Sequence, residues 1–139
     1  MILGSTSQTF LYKLFNWLTQ ILTKEKVKTT KSISIGQKTY EIEVVTSALG
    51  QQTGLSKYQS LDPGQVMLFP SKEKAQRIFW MKDMKFDLDI VWISDNQVVG
   101  VSQGYFKSPL KLIYSPGKVD AVLEVNLNSN IKVGDKVVY

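Results

Sequence analysis

The chain contains no cysteine and no histidine. Without cysteine there is no disulfide, no thiolate nucleophile and no thiolate metal site. Without histidine the usual general base near neutral pH and the commonest metal ligand are gone. A zinc hydrolase and a histidine-dependent triad are therefore excluded. Arginine is almost as scarce, with Arg77 the only one. No dense arginine surface exists to grip phosphates, and nucleic acid is not an expected partner. No run of apolar residues is long enough to span a bilayer, and none has the uninterrupted core of a cleavable signal peptide.

What the chain does have is ordinary globular material. Its 139 residues are 43% hydrophobic and 21% charged, with a net charge of +5. One compact domain with a modest core is expected. Much of the positive charge lies in KEKVKTTK at 24–31, where Lys24, Lys26, Lys28 and Lys31 face Glu25 alone. Such a tract reads as a solvated linker, with contact to acidic lipid or nucleic acid as the sharper alternative.

Residues 1–31 therefore read as an amphipathic helix and a basic linker, and residues 32–139 as a single domain. Phe10, Leu14, Trp17, Leu18 and Ile21 recur at three- and four-residue spacing, opposite Lys13, Asn16, Gln20 and Lys24. This apolar arc fits packing on the domain or on a partner protein. It also fits a membrane interface, since Trp17 and the lysines that follow suit one. Location is left between cytoplasmic and envelope-associated.

From Ser32 onward the pattern changes to short alternating segments. SISIGQKTYEIEVV predicts two strands around Gly36-Gln37, with Ile33 and Ile35 on one face and Tyr40, Ile42 and Val44 on another. SALGQQTGL predicts a short helix capped by Thr46 or Ser47 and ended near Gly54. VMLF, IFWM, LDIVWI, QVVGVSQGYF and VDAVLEVN predict further strands. SKEKAQ reads as an exposed polar connection, Asp95-Asn96 as a hairpin turn and Tyr114–Gly117 as a turn. The expected fold is α+β: a mostly antiparallel, partly closed barrel-like sheet with short helices and an N-terminal amphipathic helix.

One stretch carries unexpected polarity. In FWMKDMKFDLDIVWI, Asp89 opens an otherwise apolar face shared with Val91 and Ile93. A carboxylate there must be hydrogen-bonded, paired or at a sheet end. Lys82 ends the preceding strand, and a turn through Asp83–Asp87 predicts that it returns to Asp89 in one salt-bridge network. An edge salt bridge is the plainer reading of the same residues.

The same run resembles the signature of the family known as domain of unknown function 192. Phe79, Trp80, Met81, Lys82 and then Leu88, Asp89, Ile90 match its Phe-Trp-Met-Lys and Leu-Asp-Ile elements. Thr53–Ser56, Met67–Phe69, Tyr114–Gly117, Val122–Asn126 and Gly134-Asp135 match further blocks in order. The chain departs from the pattern with Tyr58 for an arginine, Lys57 for glycine, Asp83 for asparagine and Asp87 for proline. If that arginine binds an anion, Tyr58 offers one neutral hydrogen bond instead. The resemblance implies a fold and a candidate surface but no reaction and no cofactor.

The candidate binding residues are Lys82, Asp89, Tyr114, Ser115, Glu124, Asp135 and Trp80. Each has a bland counterpart. Glu124 shares a face with Val122 and Asn126 and reads equally as cross-strand pairing on a solvated side. Asp135 follows Gly134 and reads equally as a turn cap. Tyr114 and Ser115 read equally as securing Pro116-Gly117, and Trp80 and Trp92 as core or groove wall. The expected function is a non-catalytic accessory or small polar ligand-binding domain, with a small polar molecule or glycan as partner. Two alternatives stand beside it. One is a histidine-free hydrolase working through paired carboxylates on a polysaccharide or similar substrate. The other is a membrane-surface scaffold held by the first helix.

Overall fold

The computed structural model describes residues 31–139. The N-terminal helix, its apolar residues Phe10, Leu14, Trp17, Leu18 and Ile21, and most of the basic tract lie outside the described residues.

Seven strands form one sheet in the order β5-β4-β6-β3-β2-β1-β7. They are β1 (Lys31–Ile35), β2 (Lys38–Val44), β3 (Gln65–Phe79), β4 (Leu88–Ser94), β5 (Gln97–Gly104), β6 (Ile113–Asn126) and β7 (Val137–Val138). All neighbours are antiparallel except β2 and β3. That parallel pair needs a crossover, and the single described helix α1 (Ala48–Thr53) lies within it. Ser47 caps α1 by accepting from the Gly50 amide at 3.1 Å, and Gly54 ends it with φ +47°.

The sheet curls into a half-barrel. Its last segment reaches from the β1 edge towards the β5 edge: Val98 N donates to Asp135 O at 2.9 Å and Val137 N to Asn96 O at 2.8 Å. Asp95 and Asn96 both take positive φ, as a two-residue hairpin turn requires.

Alternation divides the core between the two faces of the sheet. One cluster draws buried residues from all seven strands, including Ile33, Tyr40, Val66, Val91, Leu123 and Val137. The other lies on the opposite face of β3, β4 and β6, where Met67, Phe69, Ile90, Trp92 and Val122 are covered by Leu55, Leu61 and Met81. Phe79 stands edge-on to both Phe69 and Trp92, with ring centroids 5.3 and 5.7 Å away. Trp92 satisfies its buried indole by donating to Ser102 Oγ at 2.9 Å.

Several local expectations change. Ile33 pairs directly with Tyr40, so the apolar residues of β1 and β2 enter one cluster rather than two faces. Val44 is exposed and Val45 turns inward instead. SKEKAQ is exposed but remains strand: VMLF and the first residues of IFWM join through it in the long, bent β3. Tyr114–Gly117 is not a free turn, because it lies inside β6, where Tyr114 pairs with Ile78 and Ser115–Gly117 form a bulge opposite Arg77.

Candidate functional site

Strand β6 is central, with β4 on one side and β3 on the other. Glu124 on β6 therefore faces Met67 of β3 and Ile90 of β4, both fully buried. The chain leaving α1 crosses above it. A Cβ on Gly54 would lie 3.3 Å from Glu124 Oε2, so the glycine lets the backbone pass over the carboxylate. Glu124 is 5% exposed. Burial pushes its carboxyl up to about 7, although the Leu55 backbone amide donates to it and pulls the other way. Among the described residues Oε2 has no hydrogen-bond partner.

This carboxylate borders a cleft of about 260 Å³. Trp80, Phe79 and Met84 supply apolar wall, while Arg77, Lys82 and Gln51 supply polar groups. The Lys82 ammonium lies 5.5 Å from the centre of the Trp80 ring. Trp80 is 41% exposed, as a groove wall would be, whereas Trp92 is core. Among the described residues Glu124 is the only carboxylate lining the cleft.

Arg77 was not legible as a site residue. It enters the cleft because β6 carries the extra residues Ser115, Pro116 and Gly117 opposite it. Ser115 Oγ accepts from the Arg77 amide at 2.9 Å and donates to Gly117 O at 2.6 Å, which closes the bulge. The Arg77 guanidinium donates to Ser71 Oγ at 2.5 Å. Its scarcity in the sequence was the one signal that set it apart.

The other candidates scatter. Asp89 lies next to Ile90 and so faces the opposite side of the sheet from Glu124. There it is buried and accepts from both the amide and the hydroxyl of Ser129, each at 2.8 Å. No ion pair joins it to Lys82; among the described residues the one ion pair is Lys74 with Asp95. The expected Lys82–Asp89 network is thus overturned, because alternation turns Asp89 away and Lys82 folds over Trp80. Asp135 accepts from the Lys132 amide at 2.9 Å, the turn-capping role. Tyr114 is exposed and pairs across the ribbon with Ile78. Tyr58 donates to Glu43 Oε2 at 2.7 Å, and burial with that bond pushes its hydroxyl up to about 12. Among the described residues no group of three or more carboxylates converges to hold a metal ion.

The sequence pattern of the domain of unknown function 192 family, described as an uncharacterized ACR, matches residues 29–139. The chain belongs to this family. Two solved structures share the DUF192 fold seen here. A protein of unknown function from Novosphingobium aromaticivorans is 23% identical with a TM-score of 0.72, over 78% of this chain and 84% of that one. A candidate transcription regulator from Sinorhizobium meliloti is 21% identical with a TM-score of 0.70, over 77% and 91% of the two chains. At these identities the likeness is one of fold alone. No curated protein matches the chain.

Proposed function

We propose that this DUF192 chain is a non-catalytic domain that binds a small polar molecule or a glycan unit in the Glu124 cleft. The observation that carries the reading is the unpartnered Oε2 of a buried carboxylate bordering that cleft. A buried polar group without a partner costs about 1–3 kcal/mol. A ligand hydroxyl or amine would supply the missing donor. Trp80 offers an apolar face to a sugar ring or side chain, and Lys82 and Arg77 suit an anionic substituent.

Hydrolysis through paired carboxylates is the weaker reading. It needs a second acid beside Glu124, and Asp89 is on the other face of the sheet. Among the described residues no helix is long and apolar enough to cross a membrane.

A thermal-shift screen of the full chain against neutral sugars, sugar acids and amino acids tests the proposal. At least one class should raise the melting temperature of the wild type and leave Glu124→Gln unmoved. A screen in which no class acts, or in which the variant responds equally, rejects the cleft as the binding site.

A further inference from the structure

Ile78 lines the cleft and pairs with Tyr114, which follows a second surface that the cleft's chemistry does not explain. Between β5 and β6 the chain runs YFKSPLKL, and all eight residues from 105 to 112 are exposed. Leu110 is 76% exposed, the largest value among the large hydrophobic residues described. Tyr105, Phe106 and Leu112 are exposed beside it. This segment is built, not slack. Ser108 N donates to Tyr105 O at 2.9 Å and Lys111 N to Ser108 O at 3.2 Å, giving two successive tight turns. Phe106 N is anchored by Asp87 Oδ1 at 2.9 Å. Next to it, the cross-strand pair Ile78 and Tyr114 presents another exposed apolar surface.

Charge distinguishes this surface further. From Tyr105 to Val119 the sequence carries Lys107, Lys111 and Lys118 and no carboxylate. An exposed apolar segment that carries lysines and is flanked by Tyr105 and Tyr114, with Asp87 held at the Phe106 amide, has the chemistry of a lipid headgroup boundary. A large exposed apolar patch is otherwise unfavourable in water.

We propose that the 105–112 loop docks this end of the half-barrel on an anionic lipid surface. Leu110 enters the headgroup region, Lys107 and Lys111 contact the acidic lipids, and Tyr105 and Tyr114 sit at the boundary. The lysines select negative charge through long-range attraction, which salt screens. This docking does not depend on what the cleft binds.

Flotation of the full chain with vesicles tests the proposal. One set is phosphatidylcholine alone; the other includes about one third phosphatidylglycerol. The wild type should float with the anionic set only, and less so as salt is raised. Leu110→Glu should lower partitioning about tenfold or more, since it removes the apolar group that enters the headgroup region and adds a repelled charge. Lys107→Glu with Lys111→Glu should do the same. Val133→Glu, at an exposed apolar position beside the β5–β7 closure, should behave as wild type. Failure of the wild type to float overturns the proposal. Equal flotation of Leu110→Glu and wild type also overturns it, by placing attachment elsewhere in the chain. Equal binding to both vesicle sets removes the anionic selectivity and overturns it too.

Discussion

Asp89 and Glu124 belong to adjacent strands but face opposite sides of the sheet. Asp89 neighbours Ile90, and Ile90 is the register partner of Glu124. Asp89 Oδ2 accepts twice from Ser129, while among the described residues Glu124 Oε2 has no partner beside its cleft. Two buried acids so close in the fold therefore do different work.

The Asp89 carboxylate holds the 127–130 turn to the sheet. Asp89→Ala leaves the buried Ser129 amide without its acceptor. The expected cost is about 2–3 kcal/mol in urea unfolding. Amide signals of Gly54 and Leu55, which report on the cleft, should stay in place. Movement of those signals would tie Asp89 to the site.

Gly54 is required twice over, by its φ of +47° and by its approach to Glu124. Gly54→Ala strains the backbone and drives a methyl towards the carboxylate. A loss of about 1–3 kcal/mol is expected, with loss of any ligand response in the cleft. An alanine variant as stable and responsive as the wild type would show that the crossing chain can shift freely.

Ser115 acts on the site through Arg77. Ser115→Ala removes the acceptor of the Arg77 amide inside the bulge. A cost of about 1–2 kcal/mol is expected. Hydrogen exchange should quicken at Arg77 while the amides of β4 stay protected. Faster exchange throughout β4 would indicate a general loosening instead.

Much of the fold was legible from alternation. Leu88, Ile90 and Trp92 were separable from Asp89, Val91 and Ile93 because side chains switch faces at every residue. Turn chemistry marked Gly36, Gly54 and Asp95-Asn96 correctly. What alternation could not reveal was cover. Glu124 shares a face with Val122 and Asn126, which suggested a solvated side. That face is buried because Leu55 and the chain leaving α1 lie over it, roughly seventy residues earlier in sequence. No local pattern announces such a contact. The Lys82–Asp89 pair failed for a related reason: nearness along the chain said nothing of which side of the sheet each would face. The bulge that brings Arg77 to the cleft was hidden too, because Pro116-Gly117 resembles an ordinary turn.

The central claim is that Glu124 is a buried carboxylate without a full set of partners, kept for something that binds. Burial pushes its carboxyl up to about 7, from 4.5 for the free group. The folded chain therefore holds a proton that the unfolded chain has released between those values. Stability must fall as pH rises through that window, by on the order of 3 kcal/mol from this group. Glutamine has the same shape, keeps an acceptor for the Leu55 amide and does not titrate. The decisive measurement is the urea unfolding free energy of wild type and Glu124→Gln, compared at about pH 5 and about pH 8. The two should be nearly equal at the lower pH, and the glutamine variant should be more stable at the higher one. A difference that does not change with pH, or a glutamine variant that is less stable at about pH 8, would contradict the claim and make Glu124 a partnered residue of the fold.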